Sequence, residues 1–258
     1  MTRIGDRFAR LRAREKKAFV AFVTAGDPSL ERTVEVALAL DDAGVDVLEL
    51  GVPFSDPLAD GPVIQRASER ALRGGARLAD VLDVVRRVRA RSDLPLLLFS
   101  YFNPLLRHGL ATLAREAVQA GVDGVLVTDL PPEEAEAWLA EARPPGLDTV
   151  FLAAPTSPDE RLRRVAAASR GFVYAVSRTG VTGERDVISE EAAPLVRRIK
   201  ALTPEPVVLG FGLSTPAQVK AAADVADGVV VGSALVRFLE EDPQGDVAGQ
   251  VRWLRSAG

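Results

Sequence analysis

The chain has no cysteine, one histidine (His108) and one methionine among its 258 residues. A missing thiol excludes a cysteine nucleophile and a disulfide framework, and a lone histidine argues against a protein-built zinc or other histidine-rich metal site. No metal is expected. Lysine is confined to Lys16, Lys17, Lys200 and Lys220. The first two precede the first strand-like run and the other two fall in helical patterns, so no lysine stands where a Schiff base would need one. Charge of either sign is also not in excess, with 36 acidic against 32 basic residues and a formal net charge of -4. That removes the electrostatic footprint expected of a nucleic-acid or anionic-membrane binder. There is no apolar run long enough to span a bilayer, and Met1-Thr2-Arg3-Ile4-Gly5-Asp6-Arg7 carries no signal-peptide apolar region. The cytoplasm is the expected compartment. The chemistry left open is acid/base work by carboxylates, assisted by tyrosine, hydroxyls and backbone amides.

The chain does hold a 47% hydrophobic composition, distributed as short apolar runs that alternate with helical patterns. After a basic amphipathic helix over Arg7–Arg12, strands are predicted at 18–23, 45–50, 95–101, 122–128, 148–153, 171–176, 206–210 and 228–232. Asp27-Pro28 reads as a helix N-cap with proline at the first helical position, opening a helix to about Ala43. Helices follow from about Val63, with Asp60 or Gly61 as cap, from Leu78 to Arg91, from Asn103-Pro104 to Ala120, and from Glu133 to Arg143. Ser157-Pro158-Asp159-Glu160 and Thr215-Pro216-Ala217-Gln218 have capping-box spacing. Further helices begin near Ser189, Ala234 and Asp246, and a long glycine-containing loop from Ser177 to Val187 reads as a lid. Asp42-Ala43-Gly44-Val45-Asp46, Gln119-Ala120-Gly121-Val122-Asp123 and Asp224-Val225-Ala226-Asp227-Gly228 echo one another, each leading from a helix end into a buried strand. Eight strands alternating with helices, without a disordered linker, predict a single domain over 1–258. It is an α/β (β/α)8 TIM barrel with an extra N-terminal helix and a mobile loop after strand 6. A doubly wound open sheet is the lesser alternative, since no Gly-x-Gly-x-x-Gly follows the first strand.

The stretch Val45-Asp46-Val47-Leu48-Glu49-Leu50-Gly51-Val52-Pro53-Phe54-Ser55-Asp56-Pro57-Leu58-Ala59-Asp60-Gly61-Pro62 places one carboxylate on a strand and returns another by a turn-rich loop. Period-two alternation puts Glu49 on one face with Val45 and Val47. In a barrel the active site lies at the C-terminal ends of the strands, where Glu49 and Asp60 would meet. An apolar wall raises the strand acid's pKa, while a more solvated loop acid stays ionised, so one pocket obtains both an acid and a base. Plainer readings stay open: a structural ion pair for Glu49, a helix cap for Asp60. Tyr174 faces the same mouth as a hydrogen-bonding hydroxyl or a core residue. Phe22, Ile64, Tyr101 and Leu126 are candidates for a flat pocket or simply for the core. Gly210-Phe211-Gly212-Leu213-Ser214 and Gly232-Ser233-Ala234 each bring glycines to the start of a helix, as phosphate loops or as tight turns; Gly180 and Gly183 can add donors from the lid.

Four segments, taken in order, resemble the α subunit of tryptophan synthase: 19–28, 48–62, Ser177-Arg178-Thr179-Gly180-Val181-Thr182-Gly183 and Gly210-Phe211-Gly212. The resemblance covers essentially the whole chain, and the long 48–62 motif is the most specific part. It implies retro-aldol cleavage of indole-3-glycerol phosphate to indole and glyceraldehyde 3-phosphate, with no cofactor in this chain. Glu49 then matches the family's acid/base, Asp60 the carboxylate that holds the indole N–H, and Tyr174 an auxiliary catalytic tyrosine. Phe22, Ile64 and Tyr101 match indole-pocket positions, while Gly183, Gly212, Gly232 and Ser233 match phosphate-binding ones. Thr182, with Gly180 in the lid, matches a residue that contacts the Asp60 carboxylate on closure. The implied partner is a pyridoxal-phosphate-containing β subunit in an αββα heterotetramer, which receives indole through a tunnel. The 53–60 loop and the segment around Pro131 and Pro132 are then the expected partner-facing surfaces. Three other readings compete: a free-standing indole-glycerol-phosphate lyase, a silent phosphate-binding regulatory barrel, and a generic phosphosugar isomerase barrel. His108 fits no motif and is expected on a helix surface.

Overall fold

Most strands among the described residues are short apolar runs buried on both faces, which is what a parallel sheet sheathed in helices requires. A computed structural model describes residues 2–176, 191–210 and 212–257. The first half runs α1 (Arg3–Ala13), β1 (Ala18–Thr24), α2 (Leu30–Asp42), β2 (Val47–Gly51), α3 (Pro62–Arg73), α4 (Leu78–Arg89), β3 (Leu96–Ser100), α5 (Phe102–His108), α6 (Leu110–Ala120) and β4 (Gly124–Val127). A 3-10 turn (Pro132–Glu134) leads to α7 (Glu136–Ala142), β5 (Asp148–Val150), β6 (Leu152–Ala153), α8 (Asp159–Ala168) and β7 (Val173–Val176). The chain closes with α9 (Ala192–Lys200), β8 (Val207–Gly210), α10 (Pro216–Val225), β9 (Gly228–Val231), α11 (Ser233–Glu241) and α12 (Val247–Leu254).

All pairings are parallel, in the order β5-β4-β3-β2-β1-β9-β8-β7-β6. The two ends of that order, β5 and β6, are one strand interrupted at Phe151, whose carbonyl accepts the Tyr174 N–H at 3.1 Å. The ring is therefore the expected eight-position barrel. Period-two alternation sorts the side chains: Val20, Phe22, Val47, Leu97 and Val208 pack inside the barrel, while Phe19, Ala21, Leu48 and Leu50 pack outward against the helices. Val45 is a correction, because it precedes β2 and belongs to the outer cluster rather than to the face of Val47.

Helix α1 is longer than the predicted Arg7–Arg12 because Ile4 and Phe8, one turn apart, both plug the N-terminal end of the barrel. The rings of Phe8 and Phe172 lie 5.8 Å apart there.

The repeated aspartates have a common task. Asp46 donates its N–H to the Phe19 carbonyl and takes the Phe19 N–H on its carboxylate, at 2.8 and 2.9 Å. Asp123 does the same with Leu96 and Asp227 with Val207. Each carboxylate thus supplies an acceptor for a strand-end N–H that would otherwise be buried without one.

Several helix starts differ from expectation. The cap of α2 is Ser29, whose hydroxyl accepts the Arg32 N–H at 3.0 Å; Asp27 is instead bound by Arg70. Ser157 is no cap either, since its hydroxyl closes the preceding turn on Ala154 N–H and α8 begins after Pro158. Gly109, at φ +92°, splits the predicted 103–120 helix into α5 and α6. Residues 133–143 divide likewise into the 3-10 turn and α7. The Thr215 capping box is present, with Gln218 reciprocating. The expected lid at 177–187 and the helix start near Ser189 lie outside the described residues.

Candidate active site

Strand β2 carries an acid into the barrel interior. Glu49 is the register neighbour of Phe22 on one side and of Leu97 on the other, and it is fully buried. Neither carboxyl oxygen has a hydrogen-bond partner among the described residues. Burial pushes its pKa up to about 8, because nothing replaces the water that would solvate the charged form. An acid held there without a partner is costly to the fold, which argues for a use beyond packing.

Asp60 reaches the same space from the loop. Gly61, not Asp60, caps α3, with Pro62 at the first helical position, so the Asp60 carboxyl is spared capping duty. The loop is secured from behind: the Tyr101 hydroxyl accepts the Ala59 N–H at 2.9 Å and hydrogen-bonds the Asp60 carboxylate, and its ring lies 5.1 Å from that of Phe54. The Asp60 backbone carbonyl accepts from Gln65 at 2.8 Å. Burial raises the Asp60 pKa to about 6, with the Tyr101 hydrogen bond opposing. The loop acid is thus less solvated than the sequence suggests, yet it remains the stronger of the two. Near pH 7 Glu49 is mostly protonated and Asp60 mostly ionised.

Tyr174 projects from β7, and burial first, then the ionised forms of Glu49 and Asp60 at high pH, push its phenol pKa well above the usual range. Its ring lies across Gly210, where an added Cβ would come within 2.7 Å of Cζ and 2.8 Å of Cε1. Glycine at 210 is what makes room for the tyrosine.

These three groups line one cavity with Phe22, Ile64, Phe99, Val230, Gly212, Gly232 and Ser233. Phe99 packs edge-on against Phe22 at 5.1 Å and completes an apolar wall. Phe99 and Val230 were missed in the sequence. Period-two alternation marks their faces, but only the register of β3 and β9 shows that those faces reach the cavity. Tyr101 stands behind Asp60 rather than in the lining, and Leu126 lies deeper in the barrel interior. The two glycine loops also differ. The first turn of α10 is taken by its own Thr215 and Gln218, whose carboxamide accepts the N–H groups of Ser214 and Thr215. The first turn of α11 has no side-chain cap, so its N–H groups are open to an anion beside Gly232 and Ser233. Gly180, Thr182 and Gly183 lie outside the described residues, as does Phe211. Among the described residues no cluster of three or more His, Cys, Asp or Glu is placed to hold a metal ion.

A family model described as tryptophan synthase alpha chain matches residues 8–256. The tryptophan synthase alpha chain of Solibacter usitatus is 52% identical over 244 residues, covering 95% of this chain and 91% of the relative. That of Geobacter sulfurreducens is 50% identical over 257 residues, covering 100% of this chain and 97% of the relative. Among solved structures, Mycobacterium tuberculosis tryptophan synthase in space group F222 aligns with a TM-score of 0.93 at 42% identity, over 99% of this chain and 98% of that one.

Proposed function

The chain belongs to the tryptophan synthase alpha chain family, whose lyase reaction is the cleavage of indole-3-glycerol phosphate, and from that premise we propose how its own residues perform the reaction. The observation that carries the reading is the meeting of two carboxyls over one apolar cavity, Glu49 fully buried with no hydrogen-bond partner among the described residues and Asp60 brought in by the loop. Glu49 delivers a proton to the indole ring carbon that will leave. The ring becomes cationic, and the Asp60 carboxylate, hydrogen-bonded to the indole N–H, stabilises that charge. Glu49, now a carboxylate, takes the proton of the neighbouring side-chain hydroxyl. The carbon–carbon bond breaks as that hydroxyl becomes the aldehyde, and its electron pair returns to the ring. Indole and glyceraldehyde 3-phosphate result, and Glu49 ends in the protonation state in which it began.

Phe22, Ile64 and Phe99 form the flat apolar walls for the indole, with Tyr101 holding Asp60 from behind. The Tyr174 hydroxyl orients the reacting side chain. Gly232, Ser233 and the open first turn of α11, with Gly212, bind the phosphate; Gly183 adds a donor. Closure of a lid carrying Gly180 and Thr182, with Thr182 on the Asp60 carboxylate, excludes water during the reaction.

Members of the family have no cofactor of their own, and the family implies a β-subunit partner. We further propose an αββα heterotetramer in the cytoplasm, the partner carrying pyridoxal phosphate and receiving indole directly. Two exposed leucines support a partnered form over a free-standing lyase: Leu58 in the loop after β2 and Leu106 on α5. Helix α5 is joined to the neighbouring loop by the Phe102 N–H donating to Asp129 at 2.7 Å, just before Pro131 and Pro132. The preserved acid pair speaks against a silent barrel.

The deciding measurement is indole release from indole-3-glycerol phosphate by the purified chain, alone and with a tryptophan synthase β subunit. Slow release that rises on adding the partner is expected. Fast release without it would favour the free-standing lyase, and none under either condition would defeat the catalytic reading.

A further inference from the structure

An ion-pair network outside the cavity joins the two helices whose first residues form its ends. Arg70, on α3, binds Asp27 through Nε and Nη2, both at 2.8 Å, and binds Glu240, on α11, through Nη1 at 2.6 Å. Arg66, one turn earlier on α3, holds Glu240 from the other side at 2.8 and 2.7 Å. Asp27 is buried in the loop after β1, and β1 lies between β2 and β9 in the barrel. One guanidinium therefore ties together the exits of three adjacent strands.

The position of the network relates it to the substrate. Helix α3 starts two residues after Asp60 and carries Ile64 in its first turn, about 9 Å from Arg70 along the helix at 1.5 Å per residue. Helix α11 starts with Ser233 directly after Gly232, roughly 10 Å from Glu240 by the same rise. Sliding or tilting α3 against α11 would change the span between the carboxylate that takes the indole N–H and the amides that take the phosphate. A planar guanidinium with three nitrogens committed to two carboxylates in fixed directions resists such sliding; an ammonium does not.

We propose that Arg70, locked by Asp27 and Glu240, is a positioning residue that sets the distance between the indole and phosphate ends of the site, so that both ends of one substrate are bound at once. The inference rests on the site reading above. It predicts a defect specific to the intact substrate. Each product occupies one end and is indifferent to the spacing, whereas the substrate must span both; misplacement of a reacting group by even about 1 Å is costly to rate.

The test compares Arg70→Gln and Arg70→Lys with Arg73→Gln, a change on the same helix at an exposed residue that among the described residues pairs with Glu69 alone. The kcat/KM for indole-3-glycerol phosphate is measured alongside the separate dissociation constants of indole and of glyceraldehyde 3-phosphate. Arg70→Gln is expected to lose about tenfold or more in kcat/KM while each product binds within about twofold of wild type. Arg70→Lys should not restore the rate, and Arg73→Gln should match wild type. Should Arg70→Gln fail to fold, Arg70→Lys and Glu240→Gln carry the same comparison. Product affinities falling in step with kcat/KM would mean general loosening and overturn the proposal, as would wild-type kinetics in Arg70→Lys. A wild type that does not cleave the substrate would defeat the functional reading and the clamp with it; a wild type that turns over beside an equally active Arg70→Gln would defeat the clamp alone.

Discussion

At the scale of single residues, the chemistry turns on two carboxyls whose surroundings separate their protonation states. Cleavage by the proposed route needs Glu49 protonated and Asp60 ionised, so kcat/KM in the partner-saturated enzyme should be bell-shaped, rising through about pH 6 and falling through about pH 8. A profile that kept rising past pH 9 would mean Glu49 does not act as the acid. Glu49→Gln should abolish cleavage and leave glyceraldehyde 3-phosphate affinity within a few-fold, measured by turnover and calorimetry. The same burial affects stability. The folded state holds the Glu49 proton up to about pH 8, whereas the unfolded chain releases it near 4.5. Between those values the folded state binds more protons, so this group's contribution to stability is fully present below pH 4.5 and lost as pH rises toward 8. Glu49→Gln should therefore raise the melting temperature more at pH 8 than at pH 5. An equal shift at both would show that the acid is not buried uncharged.

At the scale of elements, two features join the strands to their surroundings. The aspartates before β2, β4 and β9 each bind both backbone groups of one residue on a neighbouring strand. Asp123 additionally holds Arg89 at 2.9 Å and Arg3 at 3.1 Å. Asp123→Ala would strand the buried Leu96 N–H and take the counter-charge from the half-buried Arg89 guanidinium, which keeps its bonds to the Gly121 and Ser92 carbonyls, and should cost about 3 kcal/mol in urea unfolding with the active-site constants at 25 °C little changed. At the other end of the barrel, Gly210→Ala forces its methyl into the Tyr174 ring. Overpacking of this kind costs about 1–3 kcal/mol, and because the ring must move it should also lower turnover; retained wild-type activity would show that Tyr174 has no orienting role.

At the scale of the molecule, the C-terminal rim of the barrel carries the site and two exposed leucines. Leu58, in the loop after β2, is 85% exposed, and Leu106, on α5 after β3, is 56% exposed. If that rim receives the partner, Leu106→Asp should weaken β-subunit affinity by about tenfold, the effect of losing an apolar anchor and burying a charge, while leaving the slow intrinsic rate of the free chain unchanged. Titration of indole release against the partner reads both quantities, and unaltered affinity would move the interface elsewhere.

Much of this was legible in the chain itself. Alternating apolar runs and helical patterns determine the barrel class because they state which faces must be buried, and the 48–62 motif alone carries the acid pair with the turn that joins it. The Thr215 box and the Pro62 helix start are equally local, since capping involves only neighbours within a turn. Tertiary structure decided what depends on partners distant in sequence. Asp27 looks like a cap but is claimed by Arg70, 43 residues on, and Gly109 breaks a helix whose pattern runs through it. Phe99 joins the site only through sheet register, and Tyr101 turns out to brace Asp60 rather than face the cavity. The pKa of Asp60 follows the same rule: its sequence shows a polar loop, but desolvation is set by what packs over that loop, and only the folded barrel supplies it.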